Sequence, residues 1–257
     1  MSKLPEAHQF LDLSDYGRPI AKTIANRLKN TKTTPIQVTC LFGISGMLAI
    51  FCILNNYYFT AGFFIILKSI IDAADGELAR LKNTPSYTGR YLDSVFDFIL
   101  NFLFLMAICY VSKTTFWLTA IAFFCMQLQG TLYNYYYVIL RNKFAGGDKT
   151  SKIFEYKSPK ALPGEKQKSV DILFKIYAIF YGGFDKIIHA LDSDAYRVKT
   201  FPNWFMTLVS LYGLGFQLLL IAVMLPLGFI EYIIPFFICY SFLIFVLIGI
   251  RKRLIQA

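Results

Sequence analysis

The chain contains a succession of apolar runs close to twenty residues long, at approximately 36–56, 60–81, 89–112, 115–140, 201–224 and 227–250. Wound as a helix, a run of about 20 residues crosses the ~30 Å hydrocarbon core of a bilayer. Inside that core only helices and closed barrels satisfy their own backbone groups. The sequence therefore reads as an all-α integral membrane protein built as a six-transmembrane-helix bundle. Composition agrees: 56% of residues are hydrophobic and 16% charged, where soluble domains carry roughly 25% charged residues. A disordered chain and an ordinary soluble domain are both excluded.

Charge sets the expected orientation. Lys3, Arg18, Lys22, Arg27, Lys29 and Lys32 precede the first run, and Arg80, Lys82 and Arg90 surround the turn between the second and third. Twelve basic residues lie between Arg141 and Lys199, and Arg251, Lys252 and Arg253 close the chain. The opposite side holds Lys113 alone, and Lys68 lies inside a run. Basic residues collect on the cytoplasmic side of membrane proteins, so both termini are expected there, in a cell (inner) membrane. The net charge of +10 is then explained by topology and anionic lipid, with no nucleic acid as partner. Cys40, Cys52, Cys109, Cys125 and Cys239 show no metal spacing and read as small hydrophobes.

Two parts stand apart from the spans. Residues 1–33 are polar and basic and too polar for a secretory signal, so the first span is expected to act as its own insertion signal. Within them Ile20, Ile24 and Leu28 recur at helical spacing, which predicts an N-terminal juxtamembrane amphipathic helix at the membrane surface. The remainder, 34–257, reads as one membrane domain whose segment 142–200 is a long cytoplasmic connection. Inside that connection Val170 to Leu191 is apolar but interrupted by charges and by Gly182-Gly183, and is expected to form an interfacial or re-entrant helix.

The most informative stretch runs from Asp72 to Asp97. Ionisable residues within a spanning segment cost a few kcal/mol each and mark function by default. Asp72 and Asp75 are three residues apart, and Asp93 and Asp97 four apart on the following run. Each pair thus shares one helical face, and the short connection lets the faces meet. Four converging carboxylates cannot all stay ionised without a cation. All-oxygen ligation suits Mg²⁺ or Mn²⁺, and four ligands suit two ions ~3.5–4 Å apart, as in phosphoryl displacement. Gly76, Ala79 and Gly89 leave room beside the acids, and Arg80 offers a fork for a phosphate or a carboxylate.

Asp72-x2-Asp75-Gly76-x2-Ala79-Arg80-x8-Gly89-x3-Asp93-x3-Asp97 resembles, at every fixed position, the signature of the CDP-alcohol phosphatidyltransferases, in wording closer to prokaryotic members. Thr34-Pro35-Ile36-Gln37-Val38-Thr39 is similar to the Thr-Pro-Asn-x-x-Thr opening of that family's first helix, with Ile36 where the family has Asn. The resemblance implies that Asp72, Asp75 and Asp93 ligate two divalent ions, that Asp97 completes the set, and that Asp97 is the general base for the acceptor hydroxyl. A metal-bound carboxylate is a weak base, so that role requires Asp97 to be the least tightly coordinated. Gly76, Arg80 and Ser86 would contact the CDP moiety, and Thr34, Pro35, Ile36 and Gln37 would close over the nucleotide.

The implied reaction is attack of an alcohol on the β-phosphorus of a CDP-linked donor, most often CDP-diacylglycerol, releasing CMP in phospholipid biosynthesis. A soluble donor such as CDP-inositol is the alternative. From another class, the acids could serve a cation transporter, although they cluster at one membrane face. Arg141, Lys143 and Arg197 are candidate contacts for a phosphorylated acceptor. Lys68, one turn before Asp72, is a candidate counter-ion, and Glu77 is expected to face solvent. Family members often pair through their membrane helices, so a homodimer is compatible with the resemblance.

Overall fold

The computed structural model describes residues 4–5, 8–144, 155 and 157–256; Lys3 and the 145–154 part of the long connection lie outside the described residues. The described residues form ten α-helices in order: α1 Arg18–Leu28, α2 Pro35–Leu54, α3 Tyr58–Leu81, α4 Tyr87–Ser112, α5 Phe116–Phe144, α6 Gln167–Leu191, α7 Asn203–Ser210, α8 Leu214–Met224, α9 Ile230–Tyr240 and α10 Leu243–Gln256. The described residues include no strand.

All six expected spans are helical, but by length and composition three helices suffice to cross a membrane: Pro35–Leu54, Tyr87–Ser112 and Ile230–Leu254. The α7–α8 pair makes a fourth if its 48° bend lies within one span. Helices α3 and α5 are long enough, at 24 and 29 residues, yet carry too much polarity for that criterion. Lys68, Asp72, Asp75 and Glu77 lie on α3; Gln127 and Gln129 on α5.

Local chemistry accounts for the helix ends. Thr34 caps α2 in a capping box, with the Gln37 N–H donating to the Thr34 hydroxyl (3.3 Å) and the Thr34 N–H to the Gln37 side chain (2.9 Å). Pro35 stands at the first helical position, where its missing N–H is harmless. The tight turns α2–α3 and α3–α4 each hold a left-handed asparagine, Asn56 (φ 63°) and Asn83 (φ 52°), a conformation Asn tolerates. Lys113, at φ 56°, ends α4 in the same way.

The breaks in the last two spans are satisfied by reciprocal tyrosines. Tyr212 donates to the Tyr240 carbonyl (2.7 Å), and Tyr240 to the Leu211 carbonyl (3.2 Å). Buried Gln129 of α5 donates to the Phe237 carbonyl (3.0 Å) and to Ser241 (2.7 Å), completing the α9–α10 break. In hydrocarbon an unmet carbonyl costs several kcal/mol, so an interrupted helix needs such partners. Helices α3 and α8 approach closely at Gly62, where a Cβ would stand 2.6 Å from the Ala222 carbonyl oxygen. The outward face of α2 (Leu41, Ile44, Met47, Leu48, Phe51) is exposed, as a lipid-facing stripe requires. The five cysteines are free.

Outside the spans, the amphipathic helix exists as α1: Ala21 and Ala25 lie on Ala74, Leu78 and Val38, Ile24 and Leu28 pack against the same cluster, and Ile20 is exposed. Small alanines let α1 lie close against α3; the bulkier Ile20 would hold it off. Residues 170–191 form part of α6, which runs unbroken through Gly182-Gly183. Its aromatic face packs on α4 through Phe98–Phe180 stacking (4.2 Å) and a Tyr181 hydroxyl bond to the Ser94 carbonyl (2.9 Å).

Candidate active site

The turn between α3 and α4 folds their polar faces together. Asp72 and Asp75, three residues apart on α3, meet Asp93 from α4, and one ligand oxygen from each lies within 4.8 Å of the others. The Thr39 hydroxyl of α2 donates to Asp75 Oδ2 (2.6 Å) and fixes its rotamer. Asp93 Oδ1 is buried without a hydrogen-bond partner, a costly state for a carboxylate oxygen that no cation neutralises. Three oxygens from three carboxylates, one of them lacking a protein partner, fit a hard divalent cation. Asp97 stands behind this trio. Lys68, fully buried on α3, bridges Asp97 and Asp72 (3.0 Å to Asp72 Oδ2).

The trio lies in the wall of a cavity of about 1040 Å³. Among the residues named as CDP-alcohol contacts, Thr34, Pro35, Ile36, Gly76, Ala79, Arg80, Ser86 and Gly89 line it and Gln37 does not; nor does Asp97. Gln37 is held back in the α2 cap. A Cβ on Gly76 would meet nothing nearer than the Arg80 guanidinium, at 3.6 Å, so the protein itself does not require glycine there and the space belongs to the cavity. Ser86 caps α4 by accepting from the Gly89 N–H (2.8 Å). Residues 12–18 form another wall, strapped down by the Tyr133 hydroxyl bond to Asp12 (2.5 Å) and the Leu13 N–H bond to Ser210 (3.0 Å).

The sequence pattern of the CDP-alcohol phosphatidyltransferase family matches residues 32–227, which takes in α2 to α8 and every cavity-lining aspartate of the trio. The chain belongs to this family. Three curated relatives are each named bifunctional IPC transferase and DIPP synthase. The Thermococcus kodakarensis protein is 29% identical over 161 residues, covering 61% of this chain and 35% of its own length. The Archaeoglobus fulgidus protein is 34% identical over 100 residues, covering 38% of this chain and 20% of its own. That of Aquifex aeolicus is 38% identical over 79 residues, or 30% and 18%. The matched region thus spans about a third or less of these relatives. Membership of a transferase family replaces the cation-transporter reading.

Within this CDP-alcohol phosphatidyltransferase fold the three candidate acceptor cations part company. Arg141 is buried, lines the cavity and lies over the Tyr137 ring. Lys143 donates to the Val198 carbonyl, and exposed Arg197 pairs with Asp194 (3.3 Å); neither reaches the cavity. Glu77 is a correction. It is buried, not solvated, because Arg18 (2.7 Å) and Arg80 (3.1 Å) close on it. The Arg80 fork therefore serves a carboxylate while also lining the cavity. Thr39 was visible only as the last letter of the helix-opening motif, and the cavity role of residues 12–18 carried no signal.

Glu165 was also missed. It reaches from the long connection to the start of α4, accepting from the Ser86 hydroxyl (2.8 Å) and the Thr88 N–H (2.6 Å), and from the Tyr87 N–H (3.2 Å) and Leu162 N–H (3.1 Å). Burial raises its pKa, but the bonds from Thr88, Ser86 and Leu162 outweigh that and hold it below the ordinary glutamate value. A depressed carboxylate contributes fully above its unfolded pKa, and the contribution is lost as pH falls through the folded value. At neutral pH, Glu165→Gln is therefore expected to speed proteolysis near Pro163-Gly164 several-fold. In the unaltered chain the same loosening should appear only on acidification below the usual glutamate range. Equal cleavage of the two chains at pH 7 would contradict this.

Proposed function

We propose that this protein transfers a substituted phosphate group from a CDP-alcohol to an acceptor alcohol in lipid biosynthesis, releasing CMP. The observation carrying this reading is the meeting of Asp72, Asp75 and Asp93 in the wall of a cavity of about 1040 Å³, within a chain of this family. Those three carboxylates would hold Mg²⁺ or Mn²⁺, which when bound neutralises the donor diphosphate and stabilises CMP as leaving group. Gly76 and Ala79 leave space for the diphosphate, with Arg80 beside it. Thr34, Pro35 and Ile36 close one side of the nucleotide, and Ser86 and Gly89 another.

The acceptor oxygen forms its bond to the β-phosphorus as the bridging oxygen departs on CMP; the resemblance gives the acceptor proton to Asp97, a role that requires this carboxylate, which is paired with Lys68 outside the cavity wall, to be released toward the acceptor. Arg141 is the acceptor-side cation that the cavity wall favours. A six-span topology with both termini and the site cytoplasmic is the reading of charge and length together. It is supported by the lengths of α3 and α5 and by the burial of their polar side chains, Lys68, Asp75, Gln127 and Gln129, inside the bundle.

CDP-diacylglycerol is the first donor. The names of the three relatives favour a second reading, in which a soluble CDP-alcohol such as CDP-inositol is used. CMP release in Mn²⁺-containing proteoliposomes separates them. Each donor is offered with inositol phosphate, glycerol phosphate, serine or inositol. Release is expected with one donor and one acceptor; release that ignores the acceptor would contradict transfer.

A further inference from the structure

Lys68 places a fixed positive charge inside the carboxylate cluster. It is fully buried, and its ammonium bridges Asp72 on its own helix (3.0 Å) and Asp97 on α4. The remaining side rests over the ring of Phe42, 4.7 Å from its centroid, which is a cation–π contact. Lys68 does not line the cavity, so it reaches no donor phosphate and acts only through the two aspartates. Asp97 is also the carboxylate that the resemblance gives as completing the ligands of two ions. The trio whose ligand oxygens converge excludes Asp97.

We propose that Lys68 takes the place of the second cation, so that this site binds one divalent ion, on Asp72, Asp75 and Asp93, instead of two. The inference rests on the reading of the cluster as the metal centre of the transferase. Geometry supports it in two ways. The oxygens Asp72 Oδ2 and Asp97 Oδ1 already accept from the ammonium, so a second ion would have to compete with it for these two carboxylates. A divalent ion lodged there would also face the fully buried ammonium at close range, a repulsion that low dielectric strengthens. Lys68 is thus a positioning residue: it holds Asp97 apart from the trio that would bind the ion.

The test counts ions. The detergent-purified full chain is titrated with Mn²⁺ alone, and bound ion is read from loss of the free-ion electron paramagnetic resonance signal. One ion per chain without Mn–Mn spin coupling is expected. Lys68→Met, which keeps the length and removes the charge, is expected to take up two ions with the coupled spectrum of a neighbouring pair. Two ions in the unaltered chain, or one in a folded Lys68→Met chain, would overturn the proposal. If the variant does not fold, the count and spectrum of the unaltered chain decide alone. A count of two leaves the transferase reading intact, whereas no bound Mn²⁺ overturns the metal centre along with Lys68.

Discussion

Asp93→Asn is expected to lower CMP release by about 10³-fold or more, equivalent to ~4 kcal/mol in the barrier. Asp93 is the member of the trio that comes from α4, so it joins the two helices across the bound ion. Its buried Oδ1 has no protein partner, and the substitution therefore removes metal ligation without breaking an internal bond at that atom. Asparagine preserves the volume but not the charge, and a hard cation held by three carboxylates loses a third of its anionic ligands. Mn²⁺ affinity should fall in parallel with rate. Thermal stability without metal should hold or rise, because one of several crowded like charges has gone. Activity within tenfold of the unaltered chain would show that Asp93 is no ligand.

The second large effect lies far from the cluster. Arg251, near the end of α10, is buried against Asp192 in the loop after α6, with Nε 2.7 Å from Asp192 Oδ2 and a second contact through Nη2. The Tyr136 hydroxyl donates to the same carboxylate (2.6 Å). Removing one partner of a buried pair leaves an uncompensated charge and costs about 3–5 kcal/mol. Arg251→Ala is therefore expected to lower the thermal midpoint in detergent substantially. Lys252→Ala, a neighbour on the same basic stretch but exposed, should leave it nearly unchanged. The double change Arg251→Met with Asp192→Leu should recover much of the loss, since a well-packed apolar replacement of a buried pair is often neutral. Equal midpoints for Arg251→Ala and Lys252→Ala would show that the pair carries no stability.

These two sites differ in how far the sequence disclosed them. The aspartate spacing gave the cluster away because helical periodicity is local: three- and four-residue gaps share a face whatever the tertiary setting. Arg251 looked like one more basic residue ending a span, since nothing nearby in sequence marks Asp192, 59 residues away, as its partner. Glu77 was misjudged for the same reason. It points away from the aspartate face and so read as solvated, but Arg18 arrives from 59 positions upstream and makes burial tolerable. Glu165 was hidden in the long connection, 77 to 79 residues from the α4 groups that it holds.

The helix positions were legible because hydrophobic runs are local as well. The breaks in the last two spans were not, because the residues that make them tolerable, Tyr212, Tyr240 and Gln129, act across the bundle. The N-terminal helix was visible by its period, and Ile24 and Leu28 do pack on the cluster beneath it, but its fully buried members are Ala21 and Ala25, which carry little hydropathy.

The most direct test is CMP release by the full chain in proteoliposomes supplied with CDP-diacylglycerol or CDP-inositol and the acceptor panel, with Mn²⁺ present or removed by chelator. Release that appears with the metal, disappears with the chelator and returns on adding Mn²⁺ is the result expected of a metal-dependent CDP-alcohol transferase. Release untouched by the chelator, or an intact protein that turns over neither donor with any acceptor, would contradict it.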